Sequence, residues 1–491
     1  MSRFIANNRA AFNHQPAHHI LFDLGFPMTT MQIRATTAAV QNVLSLACSI
    51  RGGTRIPGFG ISVINNNFQN VYQLEAIRGN FSKIVEALSN LENLAPVNER
   101  LSIQDFKDCL NLAISSILND FNSKFDSVPS VGKRNFPAQL QITVVTRKEG
   151  AKTQEFLEEL LQSMTTTKLR KIQVVELHNS TSGPSSQGDK SGNSIPKNMG
   201  FVDLIQLSEE ESEIEKFLKS WLMDCNTDHE HISIVFQGRT SQEPLFTLKC
   251  DIKETLINPL SLPFGHRYQV QTDFTSIQLG GSGVAKVAAN DLPIYKLDVI
   301  GRLSAFGLCE SLIFGQPHRL VPTQCWRLEW TEQLTNQQCF KALCSSLNEN
   351  EQYLLTRLQP QYRMDQLSGY FILISGDNSL LLKAVASAEL VLPNLDMEKI
   401  FSSQGEDLPD TVLAAVNGAL HQLPVINEYS PDDYPSGLYS ALGRNLFENS
   451  STIKDSKRAH AVQCHPALEP TTSKVSARGR AKRGRFQQNM C

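Results

Sequence analysis

The patterned part of the chain opens with HHILFDLGFP (18–27), an apolar run that carries one carboxylate, Asp23, to its end and then turns. A short continuous apolar run bounded by turn residues predicts a strand buried on both faces. Next, Ile33, Val40, Val43, Leu44, Ala47 and Ile50 recur at helical steps, and RGGTRIPG ends that helix. FGISVIN (59–65) predicts a buried strand and VYQLEAI (71–77) a second strand or hairpin partner. Helices follow at about 80–93 and 102–121. The second begins with Ser102 and Asp105 in a capping arrangement and carries Ile103, Phe106, Leu110, Ile114, Ile117 and Phe121 along one stripe. LQITVVT (140–146) predicts a strand, Thr153–Met164 a helix and KIQVVEL (171–177) a strand. After a Ser/Gly/Pro-rich insert at 178–195 come GFVDLIQL, a helix over Ser208–Cys225 capped by Ser208 and Glu211, and ISIVF (232–236) as the closing strand.

From about residue 242 the pattern changes. LFTLKCD, RYQVQTDF, YKLDVI, SLIFG, CWRLEW, YFILIS and LLLKAVASAELVLP read as strands between turns, with one helix among them at Thr335–Leu347. The expected architecture is α/β, a parallel sheet covered by helices over 17–240, followed by a mostly β domain over 242–394. A small helical region at 395–449 comes next, with disorder expected at 1–16 and in a polar, basic tail at 450–491.

Composition adjusts this picture in three places. Apolar content of 41% and charged content of 19% are ordinary for a soluble domain protein. No window suits a membrane span and the N-terminus has no signal-peptide pattern, so the expected setting is intracellular, with the ten scattered cysteines reduced. Charge is uneven. From Ile453 to Cys491 nine Lys/Arg face two Asp/Glu, a net of +7, which leaves the body at −10 against the chain total of −3. A basic tail on an acidic body points to a polyanionic partner for the tail.

Candidate chemistry is sparse. GPSSQGDKSG (183–192) imitates a phosphate loop, but Asp189 separates Gly188 from Lys190 and no helix follows, so the expectation is a linker. LGGSGVAK (279–286) lacks a third glycine and a preceding βαβ strand. Cys339 and Cys344 are five apart on one helix and share no face, and Cys464-His465 stands alone, so no zinc site is expected. His18 and His19 precede the first strand and are expected in solvent. No catalytic site and no cofactor are expected. In the tail, Arg478, Arg480, Lys482, Arg483 and Arg485 alternate with Gly and Ala, a pattern suited to an import signal or a nucleic-acid contact.

A strand ending in Asp-x-Gly, then a helix, a strand and further α/β alternation resembles a von Willebrand A-type domain. The resemblance implies a divalent ion held by D-x-S-x-S after the first strand, a threonine opening a later helix and the aspartate of a T-D-G turn. Here Asp23 fills the first position, while Gly25 and Phe26-Pro27 replace the serines. Ser102 stands for the threonine, and after Thr146 Arg147 takes the aspartate position. A cation there repels a hard metal ion, which needs several oxygens, so Asp23 reads as a remnant that binds no metal.

The whole chain also resembles the meiosis 1-associated (meiosis 1-arresting) protein family. The resemblance rests on LSLACS (44–49), RGNFSKI (78–84), FLKSWL with TDHEHI (217–232), LKCDIKETLINPLSL (248–262), GLCESLIFGQP (307–317), RLVPTQCWRLEW (319–330), TNQQCFKALCSSL (335–347) and LLKAVASAELVLP (381–393). It covers roughly 18–395, outside the tail. It implies a germ-cell protein needed to complete meiosis I, chiefly in spermatogenesis, in cytoplasm and nucleus, associated with ZMM-type crossover-promoting proteins. The reading is a non-enzymatic interaction or scaffold protein with protein partners, no membrane and no small-molecule substrate. The alternative is a nucleic-acid-binding factor acting through the tail.

Overall fold

The computed structural model describes residues 15–94, 102–127, 139–164, 166–179, 200–225, 231–237, 244–263, 268–271, 276–279, 294–325, 327–359, 369–376, 378–391, 410–427 and 429–448. The expectations for 1–14, for most of the insert at 178–195, for most of LGGSGVAK and for the tail lie outside these residues.

The first strand, β1 (Ala17–Asp23), is buried at all seven positions. Ile20 and Phe22 enter one apolar cluster while Ala17 and Leu21 enter another, so its period-two alternation feeds both faces of a sheet. The other strands of that sheet are β2 (Phe59–Asn65), β3 (Asn67–Glu75), β4 (Leu140–Thr146), β5 (Leu169–His178) and β6 (Val202–Ser208), in the order β3-β2-β1-β4-β5-β6. Every pair is parallel except the β2–β3 hairpin.

Helices cover both faces. Helix α1 (Thr30–Ser49) is closed at its start by a capping box between Thr29 and Gln32. With α2 (Phe81–Glu92) and α5 (Glu211–Lys219) it packs the first cluster, where Leu44, Ile84 and Ile214 are buried. The second cluster takes α3 (Ile103–Ser127) and α4 (Gly150–Gln162), with Phe121 and Leu157 fully buried. Of the apolar stripe read on α3, Phe106, Leu110, Ile114, Ile117 and Phe121 pack, while Ile103 is exposed. This domain has the A-type architecture that its sequence implies.

ISIVF does not close that sheet. It is β7 (Ile232–Gln237) and belongs to a closed barrel with β8 (Pro244–Glu254), β11 (Tyr295–Ser304), β12 (Ile313–Pro322), β13 (Gln352–Leu358), β14 (Tyr370–Gly376) and β15 (Ser379–Val385). The expected boundary at 240 therefore cuts through the β7–β8 hairpin. A hairpin partner a few residues away is reached more readily than the far edge at β6. A separate two-stranded ribbon pairs β9 (Tyr268–Gln271) with β10 (Ser276–Leu279). Inside the barrel Ile232, Ile234, Leu248, Phe371, Leu373 and Leu382 form the core. Against it packs α6 (Trp330–Glu349), through Phe340, Cys344 and Leu347.

Four smaller expectations are corrected. CWRLEW makes no strand, because its described part is a turn leading into α6. Ser208 ends β6, and α5 begins only at Glu211, so the expected Ser208 cap does not form. That helix ends at Lys219 and gives way to a 3₁₀ turn at Ser220–Leu222, short of Cys225. His18 and His19 are not solvated: β1 extends back to include them, and they are 2% and 1% exposed. His18 stacks on Trp221 at 4.3 Å, and the Nε2 of His19 lies 2.8 Å from the Ser62 hydroxyl. Burial pushes both imidazoles down to about 3.

The A-type domain and the barrel are joined by polar and apolar contacts. The Arg55 guanidinium donates to the Leu222 carbonyl at 3.0 Å and pairs with Glu254 at 2.6 Å, while Leu262 is buried in the first cluster. The expected short helices follow the barrel. Helix α7 (Asp410–Leu420) has no buried residue. Helix α8, over 438–448, returns to the A-type domain with Leu442 fully buried there.

Candidate functional site

The candidate site lies at the C-terminal edge of the parallel sheet, where β1 and β4 end side by side. That edge is where open α/β folds place their functional groups. Asp23 closes β1 and its side chain is 1% exposed. A carboxylate so deeply buried needs partners. It has three: the Gly25 backbone N–H at 3.2 Å, the Thr146 hydroxyl at 2.7 Å and the Lys148 ammonium at 2.9 Å. Thr146 Oγ1 in turn accepts the Lys148 backbone N–H at 3.0 Å. The ammonium sits over the face of Phe106, 3.9 Å from the ring centroid, a cation–π contact supplied by the first turns of α3.

The structure brings Asp23 and Thr146 together as expected, but it replaces two members of the set. The cation facing Asp23 is Lys148 and not Arg147. Lys148 lies in the bend just past the end of β4, where the Thr146 hydroxyl accepts its backbone N–H. Ser102 is exposed and engaged in its own cap, accepting the Asp105 N–H at 3.1 Å and donating to its carboxylate at 2.6 Å. Its helix reaches the site one turn later, through Phe106. Lys148 and Phe106 were missed as site residues. The spacing Thr146-x-Lys148 was the one signal in the sequence, and nothing local pointed to Phe106.

These groups do not fit a divalent ion. A hard cation takes six or more oxygen ligands, whereas this site offers one carboxylate and a hydroxyl whose proton already goes to that carboxylate. Among the described residues no cluster of three or more His, Cys, Asp or Glu side chains could hold a metal. Cys339 is exposed and Cys344 buried, consistent with their separate faces, and the eight described cysteines are free thiols. The apolar hollow inside the barrel, lined by Ile232, Tyr295, Leu297 and Phe371 among others, measures about 20 Å³. Ligand pockets are about 300–1,000 Å³. Among the described residues no helix is long and apolar enough to cross a membrane. Arg478, Arg480, Lys482, Arg483 and Arg485 lie outside the described residues.

The Meiosis 1 arrest protein N-terminal domain matches residues 19–222 and its C-terminal domain matches residues 247–442. The chain is similar to the Meiosis 1 arrest protein of Homo sapiens, 29% identical over 479 residues, covering 92% of this chain and 87% of that protein. It is equally similar to that of Mus musculus, 29% identical over 446 residues and covering 88% and 82%. Among solved structures, proximal thread matrix protein 1 from the mussel byssus shares 14% identity with a TM-score of 0.26, covering 44% of this chain and 51% of its own. A von Willebrand factor type A protein from Catenulispora acidiphila shares 10% with a TM-score of 0.25, covering 42% of each chain.

Proposed function

Because the chain belongs to the meiosis 1 arrest protein family, whose N- and C-terminal domains match residues 19–222 and 247–442, we propose that it is a non-enzymatic interaction protein of meiosis I. In this reading it supports crossover formation in germ cells, chiefly in spermatogenesis, by holding ZMM-type proteins together in the nucleus and the cytoplasm. The observation that supports an assembly role is the state of Asp23. The carboxylate that closes β1 is held by Gly25, Thr146 and Lys148 and joins two loops. The test is affinity purification of the tagged full-length chain from testis, with and without nuclease. Crossover proteins should co-purify in both conditions. Their absence, or a turnover activity that Asp23→Asn abolishes, refutes the reading.

The tail charge favours a second reading, nucleic-acid binding through Arg478, Arg480, Lys482, Arg483 and Arg485. It requires DNA affinity that falls with salt and vanishes when the tail is removed. Partner capture that nuclease abolishes would favour this reading over the first.

A further inference from the structure

We propose that the Lys148 ammonium is a covalently tethered cation standing where an A-type domain holds its divalent ion, so that this face of the domain is set without metal. The three chain segments that the A-type pattern uses for ligands meet around Lys148. The end of β1 gives Asp23 Oδ1 at 2.9 Å. The end of β4 gives Thr146, whose hydroxyl fixes the Lys148 backbone at 3.0 Å. The start of α3 gives the Phe106 ring at 3.9 Å. The loop after β1 gives Gly25, and a Cβ there would stand 2.9 Å from the Lys148 Nζ and 3.1 Å from Asp23 Oδ1.

That last contact joins two departures from the A-type pattern into one. A serine at position 25 would crowd the ammonium, so losing the loop serine and gaining the lysine belong together. Charge and ligand chemistry agree. One buried carboxylate balances one ammonium, whereas a divalent ion would leave an excess positive charge at the site. An aromatic face suits an ammonium, while a hard divalent ion calls for oxygens in its place. A bound metal exchanges with solvent and yields to chelators, and a lysine does neither. The orientation of the loop after β1 against β4 is therefore independent of ion supply.

The experiment uses the full-length chain and reads melting temperature in EDTA and in millimolar Mn²⁺. Wild type should melt at the same temperature in both. Lys148→Ala should lower the melting temperature by roughly 4–8 °C, and Gly25→Ser, which displaces only the tip of the lysine side chain, by less. The double variant should lose no more than the larger single loss, because both changes dislodge the same ammonium. Strictly additive losses overturn the proposal. So does a Mn²⁺-dependent rise in wild type that Asp23→Asn removes. If the variants do not fold, acylation of wild-type lysines read by mass spectrometry decides the matter. Lys148 should react more slowly than Lys107, at a rate that Mn²⁺ leaves unchanged. Acceleration by Mn²⁺ would mean that the ion displaces the ammonium, and the proposal fails.

Discussion

Leu442 offers the sharpest test of how the C-terminal part of the body is held. It is fully buried in the first cluster of the A-type domain, far along the chain from every other residue of that core. Around it, Leu438, Tyr439 and Leu446 pack on the same cluster, the Tyr439 hydroxyl donates to Glu215, and Phe447 meets Phe81 with ring centroids 5.7 Å apart. Leu442→Ala removes apolar volume worth about 2 kcal/mol in transfer alone, and the residual cavity adds to that. A helix on the outer face relaxes more than a central strand. The expected loss is therefore about 3 kcal/mol, or roughly 6–12 °C for a domain of this size. Leu420, on α7, is the internal control. It is 59% exposed, so its change to Ala should cost less than about 0.5 kcal/mol. The assay is urea unfolding followed by tryptophan fluorescence, in which Trp221, 3% exposed in the same cluster, reports the A-type domain. Truncation after residue 437 should reproduce or exceed the loss, whereas truncation after 452 should leave the curve unchanged. Equal effects at Leu442 and Leu420, or a 437 truncation that unfolds like wild type, would refute the docking of this helix.

Acid should weaken the A-type domain through His18 and His19, which stay neutral in the folded chain down to about pH 3. As pH falls below 6.5 the unfolded chain takes up protons that the folded chain refuses. Stability then declines by up to about 1.4 kcal/mol per pH unit for each histidine until pH nears 3. His18→Phe should flatten urea midpoints between pH 6 and pH 4, and an unchanged slope would count against the burial of His18, whose ring nitrogens have no hydrogen-bond partner among the described residues. Gly60→Ala should lower the melting temperature markedly, since a Cβ there would stand 2.4 Å from the His19 ring and 3.3 Å from the Leu74 backbone. Gly60→Ala with His19→Ala should recover part of that loss, and no recovery would point to backbone strain instead. Changing Arg478, Arg480, Lys482, Arg483 and Arg485 to Ala should reduce nuclear accumulation or DNA retention, while grafting 474–486 onto a fluorescent protein separates the two. No change in any of these assays leaves the tail without a role in either.

The sequence by itself determined the elements whose periodicity is long or whose burial is complete on both sides. β1, β2 and β4 are short runs with an apolar majority, buried on both faces at the centre of a covered parallel sheet. The stripes on α1 and α3, and the capping pair Ser102–Asp105, are local facts that no distant partner alters. The family too was legible, because long unpatterned stretches carry it.

Tertiary structure decided everything that depends on which neighbour a strand or side chain meets. ISIVF is equally apolar in either sheet, and only its pairing with β8 and β11 assigns it to the barrel. His18 and His19 look polar in sequence, yet β1 lies between two helical layers, and Trp221 and Ser62 arrive from elsewhere to cover them. At the sheet edge, sequence supplied Asp23, Thr146 and, as the facing cation, Arg147 in place of Lys148. It could not say which cation meets Asp23, because that follows from the bend after β4 and from Phe106, contributed by a helix some forty residues earlier in the chain. Periodicity is a property of the local backbone, whereas a buried charge is assigned by whichever groups the fold packs around it.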